Sequence, residues 1–486
     1  MLPVENPTTS YWQATSADSP IHDHGRDGPL PTEQLFDVVV VGSGISGATA
    51  AYTLLRGEEG DDDDDDEART TKRPRPKVAL VEARRACSGA TARNGGHCRP
   101  DAYAGFLRYA AIVGKDQAHK VLVNERQTMD YIRDTAQREK IDCDWWQGKT
   151  FAAFMKHEVK ALSRKSYEAY DEYGQLNKEE VTWIEDAEEA QRVTRIPGCV
   201  GAATFTAASV YPLRFVHGLL SRSIDAGLQL FTHAPVTSIE HQQQKQEQGI
   251  WTLSTPRGTL RAKHVLLATN GYTEALVPGL GDFLLSHKAQ CSSIDPPPAY
   301  RDEGSLKQTY SIAKGGEDFE YLVQRPCNDA KRSSKGGPFI LGGGHPLTPR
   351  DQVVGTVDDS TVSDAVTEHL RTYPGRTFEG WNDDESRLTH VWTGIQGYTR
   401  DSLPLCGQQA WSDSAGLWLC VGMQGHGMAR AATCGRGVAR LILGQLAGAN
   451  EAAMTDEQWE HASGLPSCFR WTNARSKRRD VDCRYE

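Results

Sequence analysis

Val38-Val39-Val40-Val41, running straight into Gly42-Ser43-Gly44-Ile45-Ser46-Gly47, leaves few folds open to this chain. A continuous apolar run bounded by glycine suits a parallel strand buried on both faces. Ile45 to about Leu55 reads as a helix, with Ala48, Ala50 and Ala51 small enough to pack closely on a sheet. Three glycines at this spacing, after a strand and opening a helix, form a dinucleotide-binding fingerprint. Gly42 permits the tight turn, Gly44 lets the backbone approach a pyrophosphate, and Gly47 lets helix and strand touch. The helix start turns the positive end of its dipole towards phosphate. Lys77-Val78-Ala79-Leu80-Val81-Glu82 reads as the second strand, ending in an acid suited to ribose hydroxyls.

Between the two strands lies an insertion, residues 57–76, carrying six aspartates from Asp61 to Asp66 and then Lys72-Arg73-Pro74-Arg75-Pro76. Such a segment cannot bury apolar surface, and it reads as a disordered surface excursion. Loops tolerate added length at small entropic cost. Removing it restores the usual distance from Gly42 to Glu82.

The remaining chain alternates between α/β pattern and strand-rich pattern. Residues 1–34 are polar and read as an extended arm; 35–115 hold the first part of the nucleotide-binding domain; 116–200 are mainly helical. A second nucleotide-binding part is expected over 201–282, a strand-rich substrate domain over 283–385, a C-terminal nucleotide-binding part over 386–470, and a polar tail over 471–486. The fold class expected is therefore α/β: a Rossmann-type domain with an inserted strand-rich α+β domain.

Composition removes several function classes. The formal net charge is -10 and no long basic run occurs, so a grip on nucleic acid is not expected. No stretch approaches the roughly 20 apolar residues that span a bilayer. The N-terminal residues lack a basic start and an apolar core, and Arg484-Tyr485-Glu486 is not a peroxisomal address, so a cytoplasmic location is expected. The 11 cysteines are scattered with no zinc spacing, which suits reduced thiols and no metal.

Four further segments carry chemistry. Ser88-Gly89-Ala90-Thr91-Ala92-Arg93-Asn94-Gly95-Gly96-His97 follows the ribose acid closely, and its small residues can lay backbone N–H groups against phosphate and a flat ring. Ala268-Thr269-Asn270-Gly271 ends a strand in a small-residue turn. Trp392 to Asp401 includes Gly394, and Gly425-His426-Gly427-Met428 joins a strand to a helix expected near Met428. That helix would present its positive end to negative charge on a reduced ring.

With Ser10-Tyr11-Trp12 and Glu82-Ala83-Arg84, these segments make residues from about 10 to 470 resemble the D-amino-acid oxidase/glycine oxidase superfamily, nearest to gamma-glutamylputrescine oxidase-like proteins. The resemblance implies FAD. Gly42, Ser43, Gly44, Ile45, Ser46 and Gly47 would hold its pyrophosphate, and Glu82, Ala83 and Arg84 its ribose region. Ala90, Thr91, Arg93, Asn94, Gly95 and Gly96 would run beside the flavin ring, and Val236 would meet adenine through its backbone. Ala268, Thr269, Asn270 and Gly394 would complete the wall, with Gly425, His426, Gly427 and Met428 at the pyrimidine edge. Gln396 stands where relatives with covalent flavin carry cysteine, and Arg93 where others carry histidine, so the flavin is expected to be noncovalent.

The implied reaction removes a hydride equivalent from the carbon beside nitrogen of an amine or amino acid, with molecular oxygen the expected acceptor. His97 either binds substrate or shapes its loop. A substrate carboxylate would need a cation, and Arg325 and Lys288 are the candidates, each also readable as an ordinary strand charge. Two alternatives stay open: a dehydrogenase passing electrons to a quinone or carrier protein, and a non-catalytic or RNA-modifying flavoprotein.

Overall fold

The computed structural model of the 486-residue chain describes residues 1–57, 75–242, 249–316, 318–326, 336–408 and 415–476. The acidic excursion therefore lies almost wholly outside the described residues.

The four valines stand in a strand, Leu35–Val41, at the centre of the first sheet. It pairs in parallel with Val78–Val81 on one side and Gly258–Leu267 on the other. Gln229–Phe231 and Leu417–Val421 extend the parallel array, and Leu405–Gln408 closes one edge antiparallel. Because side chains alternate across a strand, Val38 and Val40 enter one core while Val39 and Val41 enter another. A valine so buried contributes about 1.5–3 kcal/mol, which is why this run tolerates no polar interruption. One face carries the helices Ile45–Arg56, Pro212–Asp225 and Ala431–Leu446. A Cβ at Gly435 would overlap the Ser46 carbonyl oxygen, so the first and last of these helices touch backbone to backbone there.

Among the described residues the second sheet has nine strands, ordered from Arg387–Thr399 through Leu284–Asp295, Phe339–Gly342, Asp318–Gln324, Thr309–Gly315, Trp146–Phe154 and Gly201–Ser209 to the short His97–Cys98. Thr182–Ile184 also pairs with Gly201–Ser209. Strand pairing thus puts Gly201–Ser209 and Arg387–Thr399 in the second sheet, whereas the sequence boundaries at 201 and 386 gave both to the nucleotide-binding side. Periodicity identifies a strand but not its partner, which explains the difference.

The N-terminal arm and residues 471–476 are more ordered than their polarity suggests. Ser10 caps a helical turn, Tyr11–Ala14, in a reciprocal capping box with Gln13, and Trp12 is fully buried. The arm is therefore a folded strap, not an extended one. Trp471 is likewise buried and Arg475 forms an ion pair with Asp401, so the tail's first residues are packed. The long helix Phe106–Arg138 begins ten residues before its expected start and is broken at Gly114, whose φ of +82° leaves the helical region. The helix expected near Met428 begins at Ala431, after a 3-10 turn over Gly427–Ala429.

Candidate active site

One long cavity runs from the glycine turn of the first sheet to the inner face of the second. Gly42, Gly44, Ile45, Ser46, Glu82, Ala83, Arg84, Ala90, Thr91, Arg93, Asn94, Gly95 and Val236 line its first-sheet end and flank. Ala268, Thr269, Asn270, Gly394, Gly425, His426, Gly427, Met428 and His97 line the rest of the predicted wall. The structure thus brings together nearly every residue singled out from sequence.

The glycines do different work in the turn. Gly42 has φ +101°, and a Cβ there would sit 2.8 Å from the Ala268 carbonyl oxygen. Gly47 does not line the cavity; its Cβ would overlap the Gly42 oxygen, so it sets the closeness of turn and helix. At Gly44 a Cβ would meet only Thr91 Oγ1, at 3.1 Å, with the cavity beyond. No side chain caps the helix through Gly44, and Ile45 N donates to Thr91 Oγ1 at 3.0 Å. Apart from Ile45 N, the helix start keeps its N–H groups and the positive end of its dipole at the cavity, as an anion site requires.

Ser43 is buried behind the turn. Its N–H and hydroxyl both donate to Glu82 Oε2, at 3.0 and 2.6 Å, and Arg84 N donates to Oε1 at 3.1 Å. These bonds fix the acid at the strand end and leave acceptor capacity for a hydroxyl pair. Gly96 lies off the cavity with φ +70°, pressed against Val210 and the Trp12 ring. Gly95 is covered by Tyr321, whose ring a Cβ would strike. Asn270 Oδ1 accepts from Gly422 N at 2.9 Å and Met423 N at 3.3 Å, tying the two glycine-rich turns together.

Two buried carboxylates that sequence reading missed organise the wall. Asp359, fully buried, takes both terminal nitrogens of Arg84 at 2.9 and 3.1 Å and lies 3.4 Å from Arg93 Nε. Arg93 also donates to Thr8 Oγ1 and the Thr393 carbonyl, so the clamp joins the N-terminal strap, the glycine loop and the second sheet. Burial pushes the Arg93 guanidinium down to about 10 against the pull of Asp359.

Glu125, from the long helix, is the second. Its carboxylate accepts from Arg430 Nε at 2.8 Å, His426 Nε2 at 2.9 Å and Asp101 N at 2.6 Å. Burial alone would raise this carboxyl, but His426 and Arg430 outweigh it and hold it at about 2. A carboxylate depressed on folding contributes stability that is present above the ordinary glutamate range and lost as pH falls through the folded value. We therefore expect Glu125→Gln to narrow the loss of stability between about pH 4.5 and 2, read by denaturant titration across that range. An acid limb identical to that of the unaltered protein would contradict the assignment.

Both proposed carboxylate anchors are corrected. Arg325 does not line the cavity: it lies 3.2 Å from Asp144, donates to Ser209 Oγ and stacks over the Trp12 ring. A buried guanidinium needs a counter-charge, and Asp144 already supplies it. Lys288 also lies off this cavity, on a neighbouring cleft, with Nζ donating to Thr361 Oγ1 at 2.7 Å. Cys98 is buried with Sγ 3.1 Å from the Met428 carbonyl oxygen and is not on the wall.

His97 is on the wall. Burial holds its imidazole well below the usual histidine range, with Arg99 and His426 adding to the effect, and Nε2 has no hydrogen-bond partner among the described residues. His345, also on the wall, is lowered by burial against Glu320. Phe319, Tyr321 and Tyr398 add aromatic surface where the cavity meets the second sheet. Among the described residues, no group of three or more His, Cys, Asp and Glu is set to hold a metal, and no helix is long and apolar enough to cross a membrane.

The donors fit FAD. The open Gly44 approach and uncapped helix start suit a pyrophosphate, Glu82 suits a ribose, and the unpartnered His97 Nε2 and Gln396 Oε1 suit a polar ring. A glycine-turn nucleotide site joined by one cavity to an aromatic chamber on a second sheet is the arrangement of a flavoprotein oxidoreductase. The sequence comparison gives the family: residues 37–441 match the FAD dependent oxidoreductase (DAO) model, and the chain belongs to that family. It is 24% identical to gamma-glutamylputrescine oxidoreductase of Escherichia coli over 90% of this chain and 89% of that one. It is 23% identical to the probable oxidoreductase OrdL of Haemophilus influenzae, covering 86% and 85%. Among solved structures, glycine oxidase from Geobacillus kaustophilus is similar with TM-score 0.63 at 18% identity, covering 90% of this chain and 98% of that one. The L-amino acid deaminase from Proteus myxofaciens is similar with TM-score 0.63 at 14% identity, covering 91% and 95%.

Proposed function

We propose that the protein oxidises the C–N bond of a small amine or amino acid to an imine, with molecular oxygen taking the electrons. The observation that carries this reading is the chamber of Phe319, Tyr321, Tyr398, His97 and His345, continuous with the nucleotide site. Bound FAD would supply the two-electron oxidation of the C–N bond and pass the electrons on to oxygen.

The chain's own residues prepare the substrate. Burial lowers both histidines, which disfavours their charged forms, and the aromatic rings add apolar surface beside them. Such surroundings disfavour an ammonium ion and so favour the neutral amine whose lone pair the reaction needs. No base is required once that proton is shed. Gly42, Gly44 and the helix start would hold the pyrophosphate; Glu82 would hold the ribose; Arg93 to Gly95 would run beside the ring. Similar proteins whose names specify a substrate point the same way: glycine, L-amino acids and gamma-glutamylputrescine.

The holoprotein, incubated with a panel of primary amines, secondary amines and amino acids in air, is expected to release hydrogen peroxide with a restricted subset. Reduction of an artificial dye without peroxide would replace oxygen by a carrier acceptor. Absence of both with every amine would overturn the reading.

A further inference from the structure

The N-terminal strap follows the cavity, and only its second half is accounted for by the fold. Trp12 is fully buried; its Nε1 donates to the Asn94 carbonyl at 2.7 Å, and its carbonyl accepts from the Tyr211 hydroxyl at 2.6 Å. Gln13 Oε1 accepts from Arg93 Nη2 at 3.3 Å. Thr8 N donates to the Asp359 carbonyl at 2.8 Å, and Thr8 Oγ1 accepts from Thr393 N at 3.0 Å. These contacts staple the strap to the glycine loop and to the strand Arg387–Thr399. Residues 2–5 do no such stapling. Among the described residues, their one hydrogen bond is the Val4 carbonyl accepting from Arg84 Nη1 at 3.3 Å. Leu2 and Pro3 stand on the cavity wall instead. Leu2 is also one of the few large apolar side chains left exposed among the described residues.

We infer that residues 2–4 belong to the FAD site, as a cover over the nucleotide half of the cavity, with Leu2 and Pro3 against the cofactor. The inference goes beyond the amine-oxidising reading and does not depend on it. Arg84 fixes the position of the cover. It stands two residues after Glu82, it lines the cavity, and Asp359 holds its guanidinium where Val4 meets it. The same aspartate contributes its carbonyl to Thr8, so the clamp that braces Arg84 and Arg93 also seats the strap. Ordering the cover costs little, because Thr8 is already tied down and Pro3 and Pro7 restrict the backbone before it. Apolar surface laid over the nucleotide also keeps water from the anion site beneath, which strengthens the charge interactions there. Contact of this kind is reciprocal: a cover that slows FAD release must itself be held down by FAD, to the same extent in free energy.

The test reads FAD release as the rise of free-flavin fluorescence after dilution, and the stability of the flavin-free protein by denaturant titration. Deletion of residues 2–5 should speed release about 10–100-fold, the loss expected for a buried leucine-sized contact, and leave the flavin-free midpoint unchanged. Leu2→Ser, which keeps the chain length, should speed release up to about 10-fold. In the unaltered protein FAD should slow cutting after the exposed Glu5 by a glutamate-specific protease, followed by mass spectrometry, and in Leu2→Ser it should protect less. Release as slow from both variants as from the unaltered protein would overturn the inference, as would cutting after Glu5 that is indifferent to FAD. A flavin-free midpoint lowered by the deletion, with release from Leu2→Ser unchanged, would make the segment a structural staple and overturn it equally. None of these readouts needs a substrate. Failure of the cover therefore leaves the amine reading standing, and failure of every amine to react leaves the cover standing.

Discussion

Gly44→Val is expected to yield a folded, colourless protein, whereas Gly47→Val is expected not to reach a stable fold. The two glycines belong to one motif but meet different surroundings. At Gly44 the first carbon of a side chain has only Thr91 Oγ1 within reach, so the branch would project into the cavity where the pyrophosphate must lie. At Gly47 that carbon would overlap the Gly42 carbonyl oxygen, and separating the two means lifting the helix Ile45–Arg56 off the sheet. That helix buries nearly every residue it has, so the displacement disrupts the core itself. Flavin absorbance after gel filtration, together with circular dichroism, separates the outcomes. A yellow Gly44→Val protein, or a Gly47→Val protein as stable as the unaltered one, would show the turn is misassigned.

The second large effect is expected at Asp359. Removing one partner of a buried ion pair leaves an uncompensated charge, which costs about 3–5 kcal/mol. Here one carboxylate serves two guanidinium groups, Arg84 and Arg93, both nearly inaccessible to water. Asp359→Ala should therefore destabilise the protein by at least about 3 kcal/mol in denaturant titration and loosen the flavin, since both arginines line its cavity. Asp359→Asn should behave similarly, because the missing element is charge and not volume. A loss below about 1 kcal/mol, the ordinary value of an exposed pair, would contradict the clamp.

What the sequence discloses and what it conceals follow one physical distinction. The valine strand, the glycine turn, Glu82 and the small-residue loops are contiguous, and their chemistry is local, so they can be read directly. The clamp residues cannot. Arg84 and Asp359 are 275 positions apart, and Glu125 and Arg430 are 305 apart, so nothing local marks either pair. Arg325 was misread for the same reason: a strand arginine looks alike whether or not an aspartate waits 181 positions away. The sheet membership of Gly201–Ser209 is also set by partners the periodicity does not name. Other omissions were recoverable. Ser10 and Gln13 carry a capping-box spacing, and Trp12 beside them promised burial, so the strap had a local signal.

The central claim is that this cavity oxidises carbon beside nitrogen. Anaerobic mixing of the FAD-loaded protein with an amino acid, and separately with the matching 2-hydroxy acid, tests it most directly. The two differ only in nitrogen for oxygen. The account predicts that the amino acid bleaches the flavin absorbance and yields one imine-derived carbonyl per flavin, while the hydroxy acid leaves the spectrum unchanged. Bleaching by the hydroxy acid with none by any amino acid or amine would contradict it.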